Sequence, residues 1–294
     1  MVREILARSL VSGSGKPDPW FGIQYTINLY RGCSHGCIYC DSRSLCYGIE
    51  NFDDILVKKN AIALLERELA SKRRKGLVGT GSMNDPYQPV EEKVGLTRRA
   101  LGVIRDHRFG VHVITKSDRV LRDLDVLADC SQVFAAVSFS ITTENDELAA
   151  KLEPGAPSPS ARFQAMEKVA AAGVYTGVTM MPILPELEDA PQQVLALMQK
   201  AVDHGARYII PAFGLTMRDR QRAYFYAKLD KLFPGLRKVY TSRYKDQYQC
   251  YSPKTPQLVE LFQSFCKQHA LADRMKSMGG EPQTQLNLFG NAKD

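Results

Sequence analysis

Three cysteines lie close together near residue 40, and their spacing constrains the fold more than any other feature of the chain. Cys33, Cys37 and Cys40 are separated by three and then by two residues. Three thiolates this close can bind three irons of a 4Fe–4S cluster and leave the fourth iron open. A small molecule bound at the open iron can receive an electron directly. The spacing therefore predicts a loop that folds around an iron–sulfur cluster.

Other uses of three cysteines predict different sites. A structural zinc ion usually takes four Cys and His ligands at paired spacings, and His35 or Cys46 could complete such a set here. A spacing of three and then two residues is unusual for zinc knuckles and ribbons. A disulfide framework suits a small secreted chain, whereas this chain has 294 residues. The spacing favours a cluster over zinc, and zinc over disulfides.

Composition narrows the class of protein. With 44% hydrophobic and 24% charged residues, the chain can bury a substantial core as one large or two small domains. Its apolar runs are too short to span a membrane, and its first residues have no signal pattern, so we expect a cytoplasmic protein without membrane contact. Seven cysteines, an odd number, fit a reducing compartment. The net charge of +7 suits an anionic partner such as nucleic acid, but is weak evidence alone.

Short β-branched segments alternate with amphipathic helical segments along most of the chain. Ile62, Leu65 and Leu69 fall on one face of a predicted helix, and Pro159 and Gly173 suit the start and the end of a later one. Six such alternations predict an α/β fold with a parallel sheet and right-handed crossovers. The predicted strands are residues 22–29, 77–81, 111–115, 133–141, 174–181 and 208–213.

The cysteine motif, with Tyr39 just before its last cysteine, resembles the signature of radical S-adenosylmethionine (SAM) enzymes. Six βα units fall short of the eight of a closed barrel, and the resemblance implies the partial (β/α)6 TIM-type barrel of that family over residues 20–215. It also implies a 4Fe–4S cluster and SAM as cofactors, and a reductant such as flavodoxin or ferredoxin. Residues 1–19 would form an N-terminal extension.

The resemblance implies that SAM binds at the carboxyl ends of successive strands. The family places its methionine-amine motif at the end of the second strand, where small residues let the backbone approach a ligand. A glycine-rich turn without a ligand is the alternative for these residues. The candidate SAM-binding residues are Tyr39, Gly79, Thr80, Gly81, Ser82, Lys116, Ser138, Ser140, Arg162 and Met181.

Several of these candidates also have a structural interpretation. Lys116 could neutralise the SAM carboxylate or remain a solvated loop residue. Ser138 and Ser140 share one face of the fourth strand, where their hydroxyls suit a ribose or the neighbouring backbone. Arg162 suits the SAM carboxylate or an ion pair with Glu153. Met181 is a candidate adenine contact, although methionine is common in cores.

Four segments resemble the spore photoproduct lyase-like group of these enzymes: residues 28–35, 84–89, 114–117 and 152–154. The lyase reverses a thymine–thymine lesion in DNA, and a cysteine near the end of the second strand returns a hydrogen to the product radical. The corresponding stretch here has Ser82 and no cysteine, and an O–H bond is too strong to donate hydrogen readily. The other thiols are candidate donors or structural residues; they are Cys46, Cys130, Cys250 and Cys266.

The pattern changes beyond residue 215. We expect a helical and hairpin extension over residues 216–275 and a flexible tail over residues 276–294. A predicted hairpin at 239–251 interleaves cations with tyrosines, which suits either phosphate contacts with base stacking or a cover for the barrel. The tail carries a peptide resembling the one with which bacterial DNA polymerases and repair proteins bind the sliding clamp. Its residues are Gln285, Leu286, Asn287, Leu288 and Phe289.

Together these features predict a radical SAM enzyme that acts on damaged or modified DNA. The same radical chemistry on RNA, a peptide or a small metabolite is the leading alternative. A metal-containing nucleic-acid-binding protein without enzymatic activity is the third. The sequence leaves open the substrate, the hydrogen donor to the product, the electron donor, the consumption or regeneration of SAM, and the oligomeric state.

Overall fold

The structure, a computed structural model, describes residues 1–13, 16–81, 83–276 and 278. The strands are, in chain order, β1 (Val2–Ile5), β2 (Tyr25–Ile27), β3 (Tyr30–Arg31), β4 (Ile55–Lys58), β5 (Leu77–Thr80), β6 (Gly110–Thr115), β7 (Ala135–Ser140), β8 (Tyr175–Met180), β9 (Ile209–Pro211), β10 (Gly214–Thr216) and β11 (Gln249–Tyr251). The α-helices are α1 (Ala61–Ala70), α2 (Glu91–Val94), α3 (Leu96–Asp106), α4 (Leu124–Cys130), α5 (Asp146–Leu152), α6 (Pro159–Ala171), α7 (Pro191–Asp203), α8 (Asp219–Leu232), α9 (Leu236–Tyr244) and α10 (Thr255–His269). Segments of 3-10 helix cover Asp41–Arg43, Leu45–Tyr47 and Asp118–Asp123.

Six strands form one parallel sheet in the order β2–β5–β6–β7–β8–β9. Every residue of β5 and of β7 is buried, as expected for a parallel sheet whose two faces are both covered. Helices occupy the connections between these strands. The predicted α/β fold, a partial TIM-type barrel, is confirmed.

The two faces of this sheet pack into different clusters because successive side chains of a strand point to opposite sides. Val111, Val113 and Val137 belong to the large outer core, which also includes apolar residues of the surrounding helices. The opposite face contributes to a smaller cluster inside the barrel. Its buried members are Leu77, Phe134, Ala136, Tyr208, Ile210 and Met275.

Local signals set the ends of α6 as the sequence predicts. Ser158 precedes the helix, and its hydroxyl accepts a hydrogen bond from the backbone N–H of Ala161. Pro159 occupies the first turn, where its fixed φ is already helical. Gly173 follows the helix with a φ of +79°, a left-handed conformation that favours glycine.

The first residues of the chain belong to a second, three-stranded sheet with the order β1–β4–β3. In it β1 runs parallel to β4, and β4 runs antiparallel to β3. The carboxylate of Glu68 accepts backbone hydrogen bonds from Leu10 and Val11, which fixes the following segment to α1. Because β3 ends at Arg31, this small sheet lies directly before the first cysteine of the motif.

The C-terminal region is more helical than predicted. The predicted hairpin at residues 239–251 is wrong, since its first half belongs to α9 and only β11 is a strand, paired antiparallel with β10. Tyr240 and Tyr244 lie four residues apart on α9 and pack edge-to-face, with Phe225 against Tyr240. Four-residue spacing brings side chains to one helix face, so these two tyrosines form core rather than a nucleic-acid surface.

The last described helix, α10, ends at His269, before the end of the predicted extension at residue 275. No helix in the described ranges is long and apolar enough to cross a membrane. The clamp-like peptide, residues 285–289, lies outside the described residues.

Candidate active site

The three cysteines of the motif lie in one loop and line one cavity. The loop follows β3 and turns at Gly32, whose φ is +80°. A Cβ at this position would lie 2.3 Å from the carbonyl oxygen of Asp54, so the turn requires glycine. Cys33 and Cys37 are buried and Cys40 is half-buried. All three line a cavity of about 130 Å³.

Burial makes these thiols weak acids in the metal-free protein. Burial, with a smaller contribution from the charge on Asp85, raises the pKa of Cys33 to about 12. Burial also raises the pKa of Cys37, while the Lys116 ammonium acts in the opposite direction. A bound metal supplies the positive charge that stabilises buried thiolates. The cavity therefore suits a cationic metal centre bound through sulfur.

The arrangement fits a cluster better than a single ion. No group of three His, Cys, Asp or Glu side chains in the described part of the chain surrounds a single metal ion. Cluster ligands need not converge in that way, because each cysteine binds a different iron. Three thiols in one cavity are what such a cluster requires.

The two residues considered as additional zinc ligands are engaged elsewhere. Nδ1 of His35 lies 3.0 Å from the carbonyl oxygen of Gly155, and Nε2 lies 3.2 Å from Oδ2 of Asp85. Cys46 is exposed, and its sulfur accepts hydrogen bonds from Ser44 and Arg218. These contacts argue against a four-ligand zinc site.

Asp85 joins the cysteine loop to the end of β6. Its carboxylate accepts hydrogen bonds from the Thr115 hydroxyl at 2.7 Å and from the Lys116 backbone N–H at 2.6 Å, and it contacts His35. Burial opposes ionisation, but the interactions with His35 and these hydrogen bonds outweigh it and lower the pKa of Asp85 to about 2. Asp85 is thus an ionised anchor beneath the loop.

Two further side chains of the same segment shape the loop. Nδ2 of Asn84 donates to the carbonyl oxygen of Tyr30 at 2.8 Å. The side-chain oxygen of Gln88 accepts from the Ser34 N–H at 3.1 Å, and its amide nitrogen donates to Gly32 at 3.4 Å. The segment at residues 84–89, noted only for its resemblance to the family, therefore holds the cysteine loop in place.

A buried charge network lies on the other side of the loop. Oε2 of Glu153 lies 2.5 Å from Nη2 of Arg162, and its Oε1 lies 3.5 Å from Nζ of Lys116. The Tyr39 hydroxyl donates to the same carboxylate. Burial opposes its charge, yet Arg162 and Lys116 lower the pKa of Glu153 to about 2. Nη1 of Arg162 also donates to the Ser140 carbonyl at 2.9 Å.

A larger cavity of about 610 Å³ opens next to the thiols. Aromatic rings of Trp20, Phe21 and Phe213 contribute to its wall, as do Met181 and Tyr39. This cavity adjoins the smaller one, because several residues line both. The shared residues are Cys40, Ser42, Gly81, Ile114 and Ser140.

Gly81 directly follows β5 and lies at the boundary between the two cavities. Its φ is +86°, and a Cβ there would lie 2.4 Å from the carbonyl oxygen of Ile114. Only glycine tolerates this backbone and this approach. Gly79, in contrast, packs against Ile23, whose Cδ1 would lie 2.5 Å from an added Cβ, and it lines neither cavity. Thr80 is buried outside both cavities, and Ser82 lies outside the described residues.

Ser138 and Ser140 share a face of β7 but have different surroundings. The Ser138 hydroxyl lies 2.7 Å from Nε2 of His112 and 2.5 Å from the Tyr208 hydroxyl, below the cavities. The Ser140 hydroxyl lies 3.0 Å from that of Thr179 and lines both cavities. Period two correctly gives the shared face but does not distinguish these depths.

The other thiols lie away from the two cavities. Cys130 and Cys266 are buried in the outer core. Cys250 is the buried central residue of β11, and its sulfhydryl donates to the carbonyl oxygen of Gln247. None of the three, nor Cys46, lines either cavity.

Comparison with known proteins finds a family model and several relatives. The model of the radical SAM superfamily matches residues 27–214. An uncharacterised protein of Mycobacterium tuberculosis is 32% identical over 234 residues, 77% of this chain and 67% of the relative. An uncharacterised protein of Methanocaldococcus jannaschii is 34% identical over 173 residues, 57% of this chain and 63% of the relative. The radical SAM Nalpha-GlyT isomerase of Pseudomonas phage M6 is 21% identical over 196 residues, 66% and 40% respectively.

Solved structures share the fold. Spore photoproduct lyase with bound AdoMet and dinucleoside spore photoproduct aligns with a TM-score of 0.69 and 18% identity over 94% of this chain and 82% of that chain. A radical S-adenosylmethionine methyltransferase from Kitasatospora setae, with cobalamin and a 4Fe–4S cluster bound, aligns with a TM-score of 0.56 and 12% identity over 83% and 52%. At these identities the likeness concerns the fold alone.

Proposed function

This chain belongs to the radical SAM superfamily, and we propose that it acts on damaged or modified DNA. As a radical SAM enzyme it uses a 4Fe–4S cluster and SAM. The bound cluster supplies the electron that splits SAM into methionine and a 5′-deoxyadenosyl radical, which abstracts hydrogen from the substrate. The observation that carries our proposal is the aromatic cavity of about 610 Å³ beside the three thiols.

We assign Cys33, Cys37 and Cys40 to three irons of the cluster. Their common cavity, and the burial that makes a metal necessary for thiolates there, support the assignment. Asp85 would position this loop because it contacts His35 within the loop and the backbone of Lys116 beyond β6.

We propose that SAM occupies the boundary between the two cavities, next to Gly81 and Ser140. Lys116 lines the smaller cavity, and its ammonium can neutralise the SAM carboxylate. Burial lowers the pKa of Lys116, but the negative charges of Glu153, Cys37 and Asp85 together outweigh burial and raise it. Tyr39 and Met181 line the larger cavity, where an adenine would fit. Arg162 is better explained as a positioning residue, because it pairs with Glu153.

The chemistry of the larger cavity supports a nucleobase substrate. Flat aromatic rings such as those of Trp20, Phe21 and Phe213 stack on bases without requiring a given sequence. One structure of the same fold holds a dinucleoside spore photoproduct together with AdoMet. Because Ser82 stands where the lyase has a cysteine, we propose radical chemistry on DNA without assigning photoproduct reversal.

We extend the proposal to two partner proteins and to the location of the enzyme in the cell. A reductant such as flavodoxin or ferredoxin would supply the electron, since the superfamily needs one. The peptide at residues 285–289 would dock the enzyme on the sliding clamp and so bring it to DNA. Both partners fit a cytoplasmic location.

The direct test is anaerobic. The protein is reconstituted with iron and sulfide, reduced and mixed with SAM, and 5′-deoxyadenosine is quantified with and without ultraviolet-irradiated DNA. We expect a rise with irradiated DNA together with loss of the lesion. If the amount of 5′-deoxyadenosine does not depend on DNA, the radical chemistry would still hold, and the substrate would more plainly be RNA, a peptide or a small metabolite. None at all from cluster-loaded protein would favour a binding protein.

Cysteine variants provide a matched control for the cluster. Cys37→Ala should abolish both the iron–sulfur absorbance and the cleavage of SAM, because the cluster loses a ligand. Cys46→Ala removes an exposed thiol outside both cavities and should retain both signals. Retained cleavage in Cys37→Ala would contradict the cluster assignment.

A further inference from the structure

A separate cleft, which we call the cationic cleft, lies on the outer side of the cysteine loop. It has a volume of about 360 Å³ and is bounded by the first residues of the chain, β3 and β4. Three cations line it: Arg8, Arg31 and Lys58. No carboxylate of the described residues is among its lining side chains. The cleft therefore concentrates positive charge in a concave surface.

Neutral groups hold two of these cations in place. Nζ of Lys58 donates to the carbonyl oxygen of Asn28 at 2.7 Å. Nη2 of Arg31 donates to the carbonyl oxygens of Tyr47 and Gly48 at 3.1 and 3.0 Å. Carbonyl oxygens orient the cations but do not cancel their charge. The positions are thus fixed before any ligand binds, which lowers the cost of binding.

The cations repel one another in this arrangement. Burial, and then the charge on Arg31, lowers the pKa of Lys58. An anion between them would relieve this repulsion. Arg8 is exposed at the rim and can reach toward such an anion. Guanidinium groups match phosphate oxygens in a two-pronged geometry, and a lysine adds a point charge.

The cleft adjoins the reaction site. Met83 lines both the cationic cleft and the cavity of the three thiols. Arg31 is the last residue of β3 and lies two residues before Cys33. A group bound in the cleft would therefore be a neighbour of whatever enters the thiol cavity.

We propose that the cationic cleft binds a backbone phosphate of the polynucleotide substrate and so holds the strand while its base reaches the cavity. This inference rests on the proposed DNA substrate. A free nucleotide offers the same phosphate chemistry, and an acidic electron carrier could also be attracted to the charges. The experiment separates these sources.

The test compares the cluster-loaded enzyme with its Arg8→Gln/Lys58→Gln double variant. Binding of a fluorescent oligonucleotide is measured by anisotropy over a salt series. Losing one phosphate contact should reduce the magnitude of the slope of log K against log salt by about 1, so the slope of the double variant should be smaller in magnitude by about 1. Affinity should fall to a similar degree for all sequences, because phosphate contacts carry no sequence information.

Two controls accompany the double variant. Arg73→Gln/Arg74→Gln removes the same charge from exposed residues at the opposite, amino end of β5 and should leave the slope unchanged. Arg8→Gln alone changes an exposed side chain and should give a smaller decrease even if the double variant folds poorly. Iron content and circular dichroism establish that each variant is intact.

The other outcomes overturn the proposal in distinguishable ways. An unchanged slope in a variant whose parent binds DNA would reject the cleft and leave the proposed function intact. If slower reduction by flavodoxin accompanied that unchanged slope, the cations would serve an electron carrier. If the wild type bound no oligonucleotide, the DNA substrate would fail. Cleft-dependent binding of a mononucleotide in that case would assign a small phosphorylated ligand instead.

Discussion

Inside the barrel, the same strands contribute side chains at two levels, a lower one at Ser138 and an upper one, nearer the cysteines, at Ser140. The two levels differ in what surrounds these side chains. In the lower level, the Ser138 hydroxyl hydrogen-bonds to both His112 and Tyr208, and the centroid of the Phe21 ring lies 4.9 Å from that of His112. In the upper level, two residues further along β7, the Ser140 hydroxyl lies 3.0 Å from that of Thr179, and Ser140 lines the cavities. The lower level is closed by the protein, and the upper level is available to ligands.

The difference arises from where the rest of the chain lies rather than from the strands themselves. Ile23 fills the space beside Gly79, whereas Gly81, two residues on, faces the cavities. Charge follows the same division, since Glu153, Arg162 and Lys116 lie around the upper level. The Ser138 hydroxyl in the lower level is hydrogen-bonded within the protein, whereas the polar residues of the upper level lie at the cavities where we propose that the cofactors bind.

We expect the largest loss of stability from removing a charge in the upper level of the barrel. Glu153→Gln would leave Arg162 and Lys116 as buried cations without their shared carboxylate. Removing one partner of a buried ion pair costs about 3–5 kcal/mol, which denaturant unfolding under anaerobic conditions would measure. Glu92→Gln changes an exposed carboxylate and should cost less than about 0.5 kcal/mol. Equal costs for both variants would contradict the role of the network.

A pH series would test a second buried carboxyl group of the upper level. Burial, and to a lesser degree the charge on Glu153, raises the pKa of Glu188 to about 8, although hydrogen bonds from Thr142 and Leu184 oppose the shift. The folded state keeps this proton longer than the unfolded state. Stability is therefore full below about pH 4.5 and falls as the pH rises toward 8, by about 1.4 kcal/mol per pH unit at most.

Glu188→Gln is the matched variant, because its amide cannot ionise. Its unfolding free energy should decline less between pH 5 and 8 than that of the wild type. Parallel pH profiles for the two proteins would show that Glu188 does not hold its proton in the folded state.

Tyr208→Phe tests the lower level. It removes the hydroxyl that lies 2.5 Å from Ser138 and should cost about 1–3 kcal/mol, the penalty of an unsatisfied buried polar group. SAM affinity, measured by equilibrium dialysis, should be unchanged because Tyr208 lines neither cavity. A large loss of SAM affinity would show that the two levels are not independent.

Of these variants, Ser140→Ala should have the smallest effect on stability. Unlike Tyr208→Phe, it should weaken the binding of SAM. It breaks one hydrogen bond with Thr179, worth about 0.5–1.5 kcal/mol. SAM affinity should fall several-fold if the hydroxyl contacts the cofactor as we propose. Unchanged affinity would move SAM away from β7.

The sequence predicts most of the barrel and the cysteine loop because both depend on local spacing. Alternating apolar segments predict β5 to β9, and the cysteine spacing needs no partner elsewhere. The partners of Glu153 could not be predicted with the same certainty, since Lys116 is distant in sequence and Arg162 had two interpretations. The role of Asn84 and Gln88 likewise depends on long-range contacts to the loop.

The local sequence pattern also does not predict how deep a side chain lies within the barrel. Ser138 and Ser140 are equivalent by period two, and only the packing of Phe21 and Tyr208 separates them. The hairpin predicted at residues 239–251 failed for a related reason. Tyr240 and Tyr244 fit a strand by composition, but their four-residue spacing and the core beside them favour a helix.

Because β11 forms part of the cavity wall, the wall is completed late in the synthesis of the chain. Gln249 and Tyr251 line the large cavity, whereas the cysteines precede them by about 200 residues. At ~5–20 residues per second, the ribosome needs ~10–40 s to cover that distance. Throughout that interval the thiols have emerged but their enclosure is incomplete. The nascent chain is therefore open to cluster loading and to oxidants at the same time.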